Sequence, residues 1–336
     1  MTHLPWFSTR RLLGGLIAVV AALLLLGLPG LVNSYQLFLA CLVMTMATAG
    51  LGLVLIMGWS GQIVLAQAGF MGVGAYGTTS LVALGLPWPL AVLLAGLVAA
   101  LIGVAIGLPA TRLRGFYLAI ATLAFAELML RIFIEAEPIT GGIAGLVVTP
   151  VVLGNLDVGG SRWYLCLGLA AVTALAVWRI GRSGLGRRLR AVRDADVAVG
   201  SLAISATRAK LLAFALSAFI GALAGAAYAQ VLTYLTPHIF GLTLLIELLI
   251  VAFLGGVSYV GGPFLGAVVV IGLRELLQDI GSWQRLAFGL VLALVVGFLP
   301  RGLASLRSRI GAARRRRADT STATPQARDV TAGVAS

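Results

Sequence analysis

Charge is scarce in this chain. Of its 336 residues only 10% are Asp, Glu, Lys or Arg, while 60% are hydrophobic; a soluble domain carries about 25% charged residues. Such a composition excludes a compact water-exposed surface, and the solvent must be a bilayer. Acidic residues are the rarer sign, 11 against 24 basic ones, for a formal net charge of +13. Lysine is confined to Lys210, which sits between Ala209 and Leu211. A phosphate-binding P-loop needs its lysine directly between glycine and serine or threonine, so the chain has no ATP-hydrolysing site of its own. His3 and His238 lie far apart, and Cys41 and Cys166 sit in separate apolar stretches. No sequence spacing suggests a metal site, a redox pair or a nucleophilic dyad. The cysteines read as core packing, no metal or cofactor is expected, and the chain is not read as an enzyme.

What is plentiful is glycine, 43 residues, and small residues let helices approach closely in lipid. Gly103/Gly107, Gly221/Gly225 and Gly262/Gly266 are GxxxG pairs. Gly72, Gly74 and Gly77 match a dinucleotide pattern, but no strand–turn–helix unit surrounds them, and they too read as packing positions.

A helix crossing ~30 Å of hydrocarbon needs about 20 apolar residues. Ten runs qualify, near residues 12–29, 35–57, 63–84, 88–109, 116–136, 163–179, 209–234, 242–257, 263–278 and 285–300. The third, eighth and ninth are interrupted by glycine or proline, and each either crosses or forms a short, broken or re-entrant helix inside the bundle. The expected fold is an all-α, polytopic transmembrane bundle of about ten spans. Arginine placement tests this, because cytoplasmic loops keep the positive charge. With both termini cytoplasmic, Arg112, Arg114, the run from Arg182 to Arg193 and the tail all fall inside, while residues 135–157 fall outside. Nucleic-acid binding is excluded by the same placement, since the arginines flank apolar spans. Arg10 and Arg11 hold the N-terminus inside; the run from Leu12 to Leu28 is long for a signal core and no Ala-x-Ala site ends it. Three regions follow: a cytoplasmic N-terminus at 1–11, a membrane domain at 12–303 with a cytoplasmic segment at 180–208, and a basic, disordered tail at 304–336 whose arginines suit anionic lipid.

Charges inside spans are functional suspects. Glu127 and Arg131, four apart on the fifth span, share a face and are placed to pair; Glu247 lies in the eighth, and Arg274 and Glu275 near one end of the ninth. Each is either a structural ion pair or part of a polar route, with Glu127 the leading candidate because it is mid-span. From Leu185 to Leu202, apolar residues recur near every 3.6 positions while Arg187, Arg188, Arg190 and Arg193 take other faces. That amphipathic helix, with Arg190 placed to pair with Asp194 and a break at Gly200, lies on the lipid surface or meets a cytoplasmic partner.

Four stretches carry a resemblance. Gly58-Trp59-Ser60-Gly61-Gln62 through Gln67-Ala68-Gly69-Phe70, then Leu113-Arg114-Gly115-Phe116-Tyr117-Leu118 running to Glu127, then Thr140-Gly141-Gly142 with Gly145, and Gly186 to Asp194 with Ala198 and Gly200 occur in consistent order over about residues 35–300. Together they resemble the branched-chain amino acid permeases of ATP-binding-cassette importers, and of the two sister subunits the LivM type. The resemblance implies a permease in the inner membrane. Its implied partners are a LivH-type sister permease, two cytoplasmic ATPases and a periplasmic substrate-binding protein. It also implies a translocation path touching Ser60, Gln62, Gln67, Glu127, Thr140, Gly141 and Gly142, and ATPase coupling through Arg187, Arg188, Arg190, Arg193, Asp194, Ala198 and Gly200. Gln67 stands where the family has histidine, Ala66 where it has glycine, Ala144 where asparagine is frequent and Phe116 where an acid is common; Ser258-Tyr259 interrupt the late glycine-rich motif. These departures leave urea, short amides and other amino acids open as cargo. The competing class is a self-sufficient secondary transporter or channel, which would show more buried acids or histidines and no patterned docking helix.

Overall fold

A computed structural model describes residues 26–113, 115–194, 205–278 and 289. The expected first span and last span, the tail, Arg114, Ala198 and Gly200 lie wholly or almost wholly outside these residues. Nine helices of more than one turn build the described part: α1 (Ser34–Leu53), α2 (Gln67–Ala83), α3 (Trp88–Ala110), α4 (Phe116–Glu135), α5 (Val158–Arg182), α6 (Gly184–Asp194), α7 (Ala206–Leu232), α8 (Leu242–Gly255) and α9 (Gly262–Leu276). Six stretches are long and apolar enough to cross a membrane: Ser34–Trp59, Trp88–Ala110, Phe116–Glu135, Val158–Arg182, Ala206–Leu232 and Pro237–Gly255. The remaining two expected spans within the described residues are shorter. The run at 63–84 becomes helical only at Gln67, and α9 has 15 residues, so the described residues hold six full-length spans rather than the eight expected there.

Helix starts follow local chemistry. Asn33 caps α1, its amide donating to Gln36 Oε1 at 3.3 Å, Asp157 accepts from the Gly160 amide at 3.1 Å to open α5, and Ser205 accepts from the Arg208 amide at 3.3 Å to open α7; each satisfies donors that a helix start leaves orphaned. Two ends of the bundle differ in charge. Arg112, Arg182, Arg187, Arg188, Arg208 and Lys210 gather where α3 ends, α4 begins, α5 ends and α7 begins, and Glu135, Glu137 and Asp157 lie at the other end. There the 136–157 loop is not wholly irregular: Leu146–Val147 (β1) pairs antiparallel with Tyr234–Leu235 (β2), and buried Gln230 accepts from the Val151 amide at 3.0 Å and donates to the Thr149 carbonyl at 3.3 Å.

The core forms around α7, which packs on α1, α2 and α3. Glycines set the distances. A Cβ on Gly225 would stand 1.9 Å from the Met71 carbonyl oxygen of α2, and one on Gly74 would stand 2.0 Å from that of Ala222. Gly72 meets the Phe133 ring and Gly77 meets Ala95, so the dinucleotide-like glycines each face a different helix. Gly103 and Gly107 receive Phe214 of α7, and Gly262 and Gly266 abut the backbone of α8. The GxxxG pairs are points of close helix contact, with Gly103, Gly225, Gly262 and Gly266 against backbone and Gly107 and Gly221 against side chains. The cysteines, separate in sequence, come together between α1 and α5: the Thr45 hydroxyl lies 3.8 Å from Cys166 Sγ, and Cys41 and Cys166 are within hydrogen-bonding reach.

Overpacking a tight site costs ~1–3 kcal/mol even where side chains yield, and a carbonyl at 1.9 Å cannot yield. Gly225→Val and Gly74→Val should abolish monodisperse protein in fluorescence-detected size-exclusion chromatography. Gly168→Ala, with nothing near its Cβ position, should leave the profile unchanged.

Candidate functional site

Trp59 marks the arginine-rich end of the first long span. The last turn before it, Val54–Trp59, is π-helical, a form found mostly as local bulges and frequently at functional sites. The chain reverses at Ser60–Gly61, where Gly61 has φ +70°, and runs back into the bundle without helix over residues 61–66. Irregular backbone at membrane depth survives only when protein satisfies it. Thr122 does this: its Oγ1 accepts from the Leu65 amide at 2.9 Å while bonding to the Leu118 and Ala119 carbonyls. The 63–84 run is therefore interrupted, without helix up to Ala66 and helical from Gln67 to Ala83.

Gln67, at that start, is fully buried. Its Nε2 donates to the Ala49 carbonyl at 3.1 Å and approaches that of Ser217 at 3.5 Å, and Ser217 Oγ lies 3.1 Å from Gln67 Oε1 and 3.0 Å from the Gly52 carbonyl. Since Ala49 is ten residues, or about 15 Å of helix, from Trp59, this knot ties α1, α2 and α7 together in the interior. Gln67 has its polar atoms engaged there, away from any open surface. Ser60 and Gln62 sit lower, bonded to one another, in a cavity of about 310 Å³ shared with Arg193 and Lys210 and walled by Ile63, Leu113 and Leu118. Gln62 is buried and its Oε1 has no partner among the described residues.

Thr140, Gly141 and Gly142 are at the opposite end. Thr140 Oγ1 bonds the Phe133 and Ala136 carbonyls at 2.7 and 2.8 Å and accepts from the Gly142 amide at 3.1 Å. Gly141 and Gly142 take φ of +73° and +58°, which glycine alone adopts without strain. Their part in this fold is to shape a loop that Tyr234 closes by donating its hydroxyl proton to the Ala144 carbonyl. Glu127 and Arg131 are exposed on α4, and the expected pair between them is not formed; among the described residues neither has a hydrogen-bond or ionic partner. Both side chains point off the bundle, with no partner wall to bring them together.

The amphipathic segment is helix α6, with Gly186, Leu189 and Val192 buried. Its arginines divide. Arg190 donates to the Gly181 carbonyl at 2.8 Å and lies 5.6 Å from the Trp59 ring, in place of the expected pair with Asp194, while Arg193 donates to the Gly58 carbonyl. Arg187, Arg188 and Asp194 face outward. Trp59 also donates to the Ser258 carbonyl at 3.4 Å, and Gly58 touches Val257. The 58–61 turn is thus a hub on which α6, the end of α5 and the 256–258 loop all bear. Spacing alone revealed the helix; the inward and outward division of its arginines, and the role of Ser217, depend on contacts between distant segments.

Helices of this length and apolarity, packed closely on glycines, define a multi-pass integral membrane protein. The family model described as "Branched-chain amino acid transport system / permease component" matches residues 35–299, and the chain belongs to that family. It is 32% identical to the high-affinity branched-chain amino acid transport system permease protein LivM of Salmonella typhimurium, over 82% of this chain and 71% of that one. With the LivM of Escherichia coli it shares 31% identity over 84% of this chain and 74% of that one. The autoinducer 2 import system permease protein LsrC of an Enterobacter species is 28% identical over 43% of this chain and 42% of its own length. The chain is a multi-pass protein of the inner membrane.

Leaving a buried polar partner unsatisfied costs ~1–3 kcal/mol. Gln67→Leu, which removes the bonds to Ala49 and Ser217 and leaves Ser217 only the Gly52 carbonyl, should lower the Tm of the purified protein in detergent; an unaltered Tm would mean that the knot is not formed.

Proposed function

We infer that this chain is the membrane-spanning permease subunit of an ATP-binding-cassette importer for branched-chain or related amino acids. On this reading it has about ten membrane passes, the interrupted 63–84 run and the short 263–278 run among them, with both termini cytoplasmic, a membrane domain over 12–303 and a basic tail over 304–336. It works with a LivH-type sister permease, two cytoplasmic ATPases and a periplasmic binding protein. Having no P-loop lysine, it draws its energy from the ATPase subunits. The observation that carries the reading is helix α6, an arginine-bearing helix seated on the 58–61 turn at the arginine-rich end. Arg187 and Arg188 are free on its outer side to meet an ATPase, and Arg190 and Arg193 grip the turn that leads through residues 61–66 to the Gln67 knot. A displacement of α6 is passed by that grip to the middle of the bundle, the kind of two-state movement that alternates access.

The exposed face of α4 supports the shared pore. Glu127 is eleven residues, about 17 Å, from the helix start, and a charge at that depth does not face lipid. It faces water or protein, as a path formed with a sister permease provides. The cavity at Ser60 and Gln62 then lies where cargo leaves.

Two variants test this in the complex reconstituted in liposomes. Arg187→Glu with Arg188→Glu should reduce ATPase co-purification tenfold or more; Arg190→Glu with Arg193→Glu should leave the protein inserted and abolish ATP-driven leucine uptake. Normal co-purification and uptake in both would overturn the docking assignment. Glu127→Ala should cut uptake at least tenfold with assembly intact, and unchanged uptake would remove Glu127 from the path.

A further inference from the structure

The cavity of about 310 Å³ at the arginine-rich end contains a buried polar atom that the fold leaves unanswered. Gln62 is only 6% exposed. Its Nε2 donates to Ser60 Oγ and its backbone amide donates to the Ile56 carbonyl at 3.1 Å, yet its Oε1 has no partner among the described residues. Buried polar atoms in folded proteins are almost always paired, so a donor from outside the chain belongs at this point. Two helices bound the same space. Gly115 and Leu118 place the start of α4 against the cavity. No side chain caps this 20-residue helix, and a Cβ on Gly115 would meet nothing within 4 Å. A helix start carries unpaired amides and the positive end of the dipole, so the open ground before α4 suits an anion. The end of α6 brings Val192 and Arg193 to the cavity. Arg193 lies across the turn, where a Cβ on Gly61 would stand 2.8 Å from its Cγ, and it donates to the Gly58 carbonyl.

The apolar wall is short, made by Ile63, Leu113, Leu118 and Val192. Liquid water occupies ~30 Å³ per molecule, so about ten waters would fill the space, which suits a solute with a short aliphatic branch and is too small for the acyl chain of a lipid. A buried acceptor, an anion ground and an apolar wall together describe an α-amino acid with an aliphatic side chain. We propose that this cavity is an inhibitory site for such an amino acid arriving from the cytoplasm, with its ammonium donating to Gln62 Oε1, its carboxylate at the start of α4 and its side chain along the apolar wall. The inference rests on the function proposed above, which puts this end in the cytoplasm and makes α6 the moving part. So placed, the ligand bridges α4, the 60–63 segment and α6. A ligand that touches both sides of a joint binds best while the joint is closed, and thereby favours the closed state. The amino acid holds α6 on its seat, and accumulated cargo slows the cycle that delivered it.

The test uses the complex with its partner subunits in phosphatidylcholine nanodiscs, where both faces are open to solution. ATP hydrolysis is driven by an excess of binding protein already saturated with leucine, and free leucine is then raised from micromolar to millimolar. Hydrolysis by the wild type should fall at least threefold. Relative to each variant's own uninhibited rate, Gln62→Leu should raise the half-inhibitory concentration at least tenfold, and Ile63→Trp, which fills the cavity from its rim, should remove the inhibition. Isocaproate has the carboxylate and the branch but no ammonium. It should inhibit the wild type at least tenfold more weakly than leucine, and the gap between the two should close in Gln62→Leu, a readout that a structural role for Gln62 would not move. Subunit retention is measured alongside, and Ile63→Trp, at a position 49% exposed, supplies the reading if Gln62→Leu disassembles. Normal ATP-driven leucine uptake without inhibition by free leucine would defeat this site alone, as would inhibition unchanged in the assembled variants or equal potency of isocaproate. Radiolabelled leucine binding by scintillation proximity separates the two readings: a wild-type complex that takes up no leucine, yet binds it saturably and loses that binding in Gln62→Leu, would defeat the proposed function and keep the site.

Discussion

Everything in this fold depends on how closely α7 can approach its neighbours. In lipid, burial from water does not press one helix on another, and association rests on van der Waals contact and interhelical hydrogen bonds. Gly221, Gly225 and Gly74 remove the side chains that would hold α7 and α2 apart. That approach brings Ser217 within reach of Gln67 and of the Gly52 carbonyl. The hydrogen bonds are second in the causal order: without the glycines their partners would stand too far away.

Upon that packed centre sits a contrast between ends. At the arginine-rich end, α6 is bound to the bundle by Arg190 and Arg193 through backbone carbonyls, Gly181 and Gly58. Carbonyl contacts bind an element by shape and position without demanding an opposite charge, and Arg187 and Arg188 stay exposed on the outer side of the helix. The other end is braced differently, by the β1–β2 pair, by Gln230 and by the turn that Thr140 caps. Beneath that brace, Tyr76, Phe133 and Phe240 make a set of buried ring contacts with centroids 5.2–6.2 Å apart, and Tyr228 extends it at 6.3 Å from Phe240.

Six of the expected spans, the interruption of the run at 63–84 and the contact glycines were legible because each is a property of a short window: length, interruption or a four-residue spacing. So was α6, whose apolar period needs only eleven residues to register. The roles of particular polar residues were not. Gln67 stands in a motif that suggested a path, yet its hydrogen bonds go to Ala49 and Ser217, and no local pattern shows that Ser217, 150 residues away, will face it. Glu127 and Arg131 have the spacing of a helical pair, but spacing gives only opportunity, and on an exposed face the two side chains remain apart. Cys41 and Cys166 carry no recognisable interval, and only the packing of α1 on α5 makes them neighbours.

The half-span from Gly61 to Ala66 has a mechanical consequence. A helix crossing the same depth would lock its own amides in series, and a push at one end would be absorbed by small changes along its ladder. Here the amide of Leu65 is held by a threonine hydroxyl on a different helix, so the strand is moored sideways to α4 rather than to itself. A shift of the 58–61 turn would therefore either carry α4 along or break the Leu65–Thr122 bond, so Thr122 ties the seat of α6 to the helix that bears Glu127 and Arg131.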